Sequence, residues 1–313
     1  MDGNLHHGER CICGKELMEF FDTQLNLWQL AKDHFADVDR MLAREINVGE
    51  SPVQFRVIFN PARIRSTGAD ISKKTIENRK CFLCRSNRPE EQSVYDGCQA
   101  KGFEILVNPY PICNPHFTIP AVRHIPQNSV PLDLMLDFSN RFEGLCVFFN
   151  GAGAGASAPD HLHCQAVKTE DIPLLEAIEK YLPDKGALIV NGFEAPLYYP
   201  ASFFYASGYS EQTLVSRIYE FTQKYRCLDL ANPLLNAFMW KDSNGVIRAV
   251  FMPRLKHRPG VYYLPQDEGG MLISPGALDM AGLVVTVNKK DFERVDSEIL
   301  LKVFEETAIA AID

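Results

Sequence analysis

No stretch of this 313-residue chain is apolar for long enough to cross a bilayer, which argues against a membrane-spanning helix. The opening run Met1-Asp2-Gly3-Asn4-Leu5-His6-His7 is polar and holds no signal-peptide core, so the expected location is cytoplasmic. Positive charge is also in short supply. With 32 Lys and Arg against 40 Asp and Glu, the net charge is −8, which argues against a nucleic-acid or membrane-surface partner. Nine cysteines is an odd number, and with no sign of export they read as reduced thiols rather than a disulfide framework. Those that cluster are therefore to be tested first as metal ligands or nucleophiles. The composition that remains is that of an ordinary globular protein, 46% hydrophobic and 23% charged. It is enough for a sizeable core in one large domain or two smaller ones.

The charge is uneven. Arg56, Arg63, Arg65, Lys73, Lys74, Arg79, Lys80, Arg85 and Arg88 stand against only Asp70 and Glu77 in that span. A basic segment inside an acidic protein fits a focused site for a small polyanion, with a solvated loop as the alternative.

Periodicity predicts an N-terminal helical segment over 1–50, with Leu17, Phe20, Phe21, Leu25, Leu27, Trp28 and Leu30 on its apolar face between Lys15 and Ile46. Strands are expected at Val53–Phe59, Phe103–Val107, Phe117–Val122, Leu145–Phe149 and His161–Val167, with a helix over Leu132–Phe142. After Asp171 the pattern restarts. Helices near Ile172–Tyr181 and Glu211–Tyr225 alternate with strands near Ala187–Val190, Leu197–Tyr205, Leu235–Trp240, Val246–Met252 and Val284–Val287. A closing helix is expected over Lys290–Ala311. Two such units in succession, 51–170 and 171–313, predict an α+β protein of duplicated half-units with mainly antiparallel sheet and flanking helices.

Three segments carry chemistry. Gly151, Gly153 and Gly155 follow an apolar strand as a dinucleotide-binding loop would, but Ser157 and Pro159 follow where that loop needs an apolar helix. What survives is a loop whose backbone can approach phosphate closely. If His161–Val167 is a strand, His161, His163 and Gln165 share one face, roughly 6.5–7 Å apart, while Leu162, Cys164 and Ala166 share the other. Two imidazoles and an amide on one face are harder to explain as packing than a lone core histidine, because their polar atoms need partners. Cys81-Phe82-Leu83-Cys84 is a C-x-x-C that can hold a tetrahedral zinc from a tight turn, given two more ligands among His116, His124, His161 and His163. Packing of two thiols is the alternative, and the following Arg85-Ser86-Asn87-Arg88-Pro89 makes a poor helix for a redox pair.

Together with Asn114-Pro115-His116-Phe117 through Arg123-His124-Ile125, these segments resemble the histidine-triad superfamily in its larger transferase branch. The cysteine turn with Asn87 and Arg88 is similar to the zinc turn of galactose-1-phosphate uridylyltransferases. His161-Leu162-His163-Cys164-Gln165 matches that branch's H-x-H-x-Q. Asn60-Pro61-Ala62-Arg63-Ile64, Ser274-Pro275-Gly276-Ala277-Leu278-Asp279 and Lys290-Asp291-Phe292 resemble the GDP-hexose phosphorylases. The resemblance implies zinc held by Cys81, Cys84, His116 and His161, with His163 as nucleophile and Gln165 as a donor to phosphate oxygens. It places Asn150, Gly155 and Ser157 at the phosphate site, and Arg63 and Arg65 on the base or phosphate side. The second metal of the uridylyltransferases is not expected, because His257 is the only histidine in 171–313.

The chemistry implied is double displacement at a nucleotide's phosphorus through a covalent nucleotidyl-histidine. The donor would be a nucleotide sugar or a dinucleoside polyphosphate, the acceptor phosphate or a sugar 1-phosphate, and a homodimer is a candidate assembly. Gln165 can donate hydrogen bonds but cannot act as acid or base for water, which favours transfer over a triad-type hydrolase. A non-catalytic zinc- and nucleotide-binding protein is the other alternative. Cys164 as nucleophile is disfavoured by its place on the opposite strand face.

Overall fold

The computed structural model describes residues 5–97, 102–182 and 186–312. The strands, in chain order, are β1 (Leu42–Asn47), β2 (Gln54–Phe59), β3 (Leu106–Val107), β4 (His116–Pro120), β5 (Leu145–Asn150) and β6 (His163–Lys168). They continue as β7 (Ala187–Val190), β8 (Phe203–Gly208), β9 (Leu235–Lys241), β10 (Ile247–Pro253) and β11 (Leu283–Thr286). The helices are α1 (Leu5–Leu27), α2 (Gln29–Val38), α3 (Ile64–Thr67), α4 (Lys73–Asn78) and α5 (Leu132–Arg141). After them come α6 (Pro173–Tyr181), α7 (Glu211–Lys224), α8 (Ala277–Met280), α9 (Lys289–Arg294) and α10 (Ser297–Thr307).

β5, β9 and β10 are largely apolar, with Asn150, Asn236 and Arg248 as the polar exceptions, and are buried along their whole length apart from Lys241, as strands covered on both faces must be. They lie in one eight-stranded sheet of order β3-β4-β6-β5-β9-β10-β8-β7, in which every pairing is antiparallel. Read inward from either edge, the order is first, second, fourth, third of four consecutive strands, β3–β6 on one side and β7–β10 on the other, and α5 and α7 each fall between the second and third strands. The two sets of four strands meet where β5 pairs with β9, Phe148 opposite Phe238. One sheet face, carrying Cys146, Phe148, Val167, Phe238, Trp240 and Val250, packs against α6, α8, α10 and the smaller sheet β1-β2-β11. The opposite face, carrying Val147, Phe149, Cys164, Ala166, Ala237 and Met239, packs against α1, α2, α5 and α7.

Two expectations need adjusting. The single N-terminal helical segment is instead two helices followed by β1, which pairs antiparallel with β2. Leu17 and Phe21 are buried, but Leu27 is 70% exposed, because the helix breaks at Trp28 and turns that position outward. The strand expected from His161 begins only at His163. The amide of His161 is bonded to Ala158 O and that of Leu162 to Ile125 O, so His161 stands in a turn ahead of the strand.

Candidate active site

β6 delivers His163 and Gln165 to the same sheet face, opposite Pro120 and Thr118 of β4. Gln127, fully buried, fixes the start of the strand: its Oε1 accepts from His163 N at 2.8 Å, and its Nε2 donates to Asn150 O and His163 O at 2.8 and 2.9 Å. The His163 ring is buried, with Nδ1 2.8 Å from the carbonyl oxygen of His161. Only Nδ1–H can make that bond, so the ring's lone pair is on Nε2. Burial pulls His163 down to about 4, only partly opposed by the His161 carbonyl, so the imidazole is neutral at physiological pH.

Gln165 is oriented by His116. The amide of Ile112 donates to His116 Nδ1 at 3.0 Å, which puts the ring proton on Nε2, and Nε2–H then donates to Gln165 Oε1 at 2.9 Å. Burial and the charge of Arg63 pull His116 down to about 3, so it stays neutral. With its oxygen taken, the amino end of the Gln165 carboxamide is what remains to face a ligand. Asn150, at the end of β5, is fixed the same way, because its Oδ1 accepts from Ala277 N at 2.7 Å and Asn236 Nδ2 at 2.9 Å. Neither amide can be turned round without setting donor against donor.

Gln165 and Asn150 line a cavity of 60 Å³ with Arg63, Gly155, Ser157 and, from the C-terminal half, Asp279. Known small-molecule pockets run to roughly 300–1,000 Å³. This one is therefore of a size for a phosphate group and not for a nucleoside. Arg63 donates one N–H to Tyr110 O at 2.9 Å, and although burial lowers it to about 10 it remains cationic. Gly155 has φ +100° and lies so close to Gly276 that an added Cβ would be 2.5 Å from its Cα. That contact brings the glycine loop against Ser274–Asp279. Arg254 supports the seam from below, donating to Asn236 Oδ1 at 2.8 Å and Pro275 O at 3.1 Å. The Arg65 side chain lies outside the described residues. A larger open groove of 1320 Å³, against α5 and α7 on the other sheet face, contains none of the expected site residues.

The second cluster is Cys81, Cys84, His124 and His161, whose ligand-type atoms all lie within 4.8 Å of one another and can hold a metal ion. His116, expected as the fourth ligand, is not in it. It pairs across from Val167 at the far end of β4 and is committed to Gln165, while His124, just past that strand, takes its place. Sγ of Cys81 is 3.3 Å from His161 Nδ1, and Sγ of Cys84 is 3.2 Å from His124 Nδ1 and 3.6 Å from His161 Nδ1. Donors around a tetrahedral zinc stand roughly 3.3–3.8 Å apart, given bonds of about 2.3 Å to sulfur and 2.0–2.1 Å to nitrogen. His161 Nε2 donates to Ala121 O at 2.8 Å, which leaves Nδ1 unprotonated toward the thiols, as a metal-ligating imidazole requires. The turn is braced by Asn87 Nδ2 on Cys81 O (2.9 Å) and Arg88 Nε on Leu83 O (2.8 Å), with Arg88 also paired to Glu104. Arg79 pairs with Asp160 beside it. The basic segment is thus divided, Arg79 and Arg88 serving the turn and Arg63 the cavity.

Sequence reasoning did not single out Gln127, Asn236, Arg254 or Asp279 for this site. Only Asp279 carried a signal, lying in the Ser274–Asp279 stretch already noted.

A family model described as a domain of unknown function (DUF4922) matches residues 20–168. No curated protein matches the chain. Among solved structures the chain resembles yeast Ap4A phosphorylase Apa2, with TM-score 0.55 and 16% identity over 91% of this chain and 94% of that one. The same yeast enzyme in complex with AMP gives TM-score 0.52 at 15% identity, and in complex with Ap4A 0.53 at 16%, each over 91% of this chain and 97% of that chain. At such identities the likeness establishes a common fold. No helix among the described residues is long and apolar enough to cross a membrane.

Proposed function

We propose that the protein is a nucleotidyltransferase of the phosphorylase type, acting on a dinucleoside polyphosphate or nucleotide sugar through a nucleotidyl-histidine at His163. The observation that carries the reading is the state of His163: neutral, with its Nδ1–H committed to the His161 carbonyl, and two residues from Gln165, which lines a phosphate-sized cavity. The shared fold with Ap4A phosphorylase Apa2 favours the dinucleotide as donor. The half-units 51–170 and 171–313 would then be a nucleophile-bearing unit and a degenerate partner that completes the cavity.

In the first half-reaction Nε2 of His163 attacks the phosphorus of the nucleotide's α-phosphate, and the P–O bond to the departing phosphate breaks with its electron pair on that oxygen. Arg63 and the amino ends of Gln165 and Asn150 would meet the charge that develops. In the second half-reaction an acceptor phosphate oxygen attacks the same phosphorus, the P–N bond breaks, and His163 returns to its neutral form. Gln165 offers no general base to a water molecule, so phosphate is the preferred acceptor.

Two thiols and two imidazoles at these separations fit zinc, which Cys81, Cys84, His124 and His161 would hold. Such a closed ligand set supplies structural anchoring rather than Lewis acidity. His161 would then be fixed, and with it the carbonyl that sets the tautomer of His163.

The test is to incubate the protein with α-labelled dinucleotides and nucleotide sugars, then map acid-labile label. Label on His163 that phosphate discharges as a nucleoside diphosphate supports the reading. Absence of label with every donor, or full transfer by His163→Ala, overturns it.

A further inference from the structure

The cavity holds one group that does not suit a bare anion. Arg63, the amino ends of Gln165 and Asn150, and the hydroxyl of Ser157 are all able to donate, but Asp279 lines the same space with a carboxylate. Its Oδ1 accepts from Val285 N at 2.8 Å and its Oδ2 from Gly276 N at 2.9 Å, so each oxygen keeps further lone-pair capacity. Arg63 is close enough for its charge to act on Asp279, yet the two do not close into an ion pair. A cation, several neutral donors and one acceptor around a phosphate-sized space match a ligand that mostly accepts hydrogen bonds and donates one.

We infer that Asp279 makes this cavity select a tetrahedral anion that still carries a proton, hydrogen phosphate, over one that carries none, sulfate. The inference rests on the reading of the cavity as the site of a phosphoryl group. Hydrogen phosphate can give its ionised oxygens to Arg63, Gln165 and Asn150 and its P–OH to Asp279. Sulfate is fully ionised at neutral pH and would set an oxygen against the carboxylate with no proton between them. A site built around a ligand's O–H rejects an analogue lacking it far more strongly than an apolar pocket rejects a change of size. The carboxylate adds repulsion to that loss. Burial also raises Asp279 to about 6, against the pull of the two amides and Arg63, which is the basicity expected of a strong acceptor for a P–OH proton.

The experiment is calorimetric titration of the full chain with inorganic phosphate, arsenate and sulfate at neutral pH. Phosphate and arsenate, which keeps its proton, are expected to bind at least about 100-fold more tightly than sulfate, a fraction of the 10⁴–10⁵ such sites reach. Asp279→Asn should bring the phosphate-to-sulfate ratio within about 10-fold, chiefly by improving sulfate. Because that variant loses an acceptor for one backbone amide, Asp279→Glu is the second variant, and it is expected to keep the discrimination. Phosphate binding is read here with no nucleotide donor present, so failure of nucleotidyl transfer and failure of this inference are separable. Equal binding of the two anions, no binding of phosphate, or an unchanged ratio in a folded Asp279→Asn overturns it.

Discussion

His163 and His161 are joined through the first residue's ring and the second residue's backbone, Nδ1 to carbonyl oxygen at 2.8 Å. The side chain of His161 meanwhile turns away to Cys81 and Cys84. The two histidines of the H-x-H motif therefore act in different places while the peptide between them couples one to the other. His163→Ala should lower nucleotidyl transfer by roughly 10³-fold or more while leaving the melting temperature close to native. Single-turnover transfer with an α-labelled donor measures the first, differential scanning calorimetry the second.

Gln165→Ala removes an amide donor from the cavity. A loss of about 10²–10³-fold in kcat is expected, as for other donors aimed at developing charge. His116→Ala should lower kcat in the same direction, since it frees the carboxamide to rotate, without a matching rise in KM. Steady-state kinetics on both variants distinguishes this from general damage to the fold.

The metal cluster separates two histidines that lie eight residues apart. His124→Ala should deplete zinc in the purified protein, whereas His116→Ala should retain it, and elemental analysis reads the difference directly. Chelation should lower the melting temperature of native protein, because metal bound only to the folded chain contributes its binding free energy to folding. Zinc lost from His116→Ala but kept in His124→Ala would restore the ligand set first expected.

Stability should depend on pH with two opposing contributions. His116 is lowered to about 3 from an unfolded value of 6.5, so the unfolded chain takes up a proton that the native chain refuses. Its contribution is present above pH 6.5 and lost as pH falls toward 3, at about 1.4 kcal/mol per pH unit. Asp279 is raised from 3.8 to about 6, so its contribution is present below 3.8 and lost as pH rises through 6. His116→Gln should flatten the acid limb of the urea-midpoint profile and Asp279→Asn should steepen it.

Gly155→Ala tests the seam between the halves. Its φ of +100° is strained for alanine, and the added Cβ would also be 3.0 Å from Pro275 O. A cost of about 1 kcal/mol or more follows from the backbone alone. Equilibrium unfolding measures it, and phosphate binding should weaken in parallel.

Much of this was legible in the chain. Largely apolar runs located β5, β9 and β10 because their burial is nearly uniform, and the helix expected over Glu211–Tyr225 is α7. Arg63, Asn150, Gly155, Ser157 and Gln165, scattered over a hundred residues, do line one cavity. The cysteine turn is grouped with His124 and not with His116, because spacing along the sequence cannot say which end of a strand faces that turn, and β4 separates His116 from His124 by its whole length. The assumption of a strand from His161 failed for a related reason: Leu162 bonds to Ile125, outside the sheet. Gln127 and Asn236 left no trace, since a buried amide clamping backbone reads in sequence like any polar residue in a loop.

The pairing of β5 with β9 has one more consequence. His163 is anchored on one side of that junction, while Asn236, Asp279 and the loop that meets Gly155 are anchored on the other. On the proposed reading, the carboxylate that discriminates between anions and the histidine that attacks are thus written on separate parts of the chain. Exchanging residues 274–285 could retune which anion is admitted while every atom that holds His163 stays where it is.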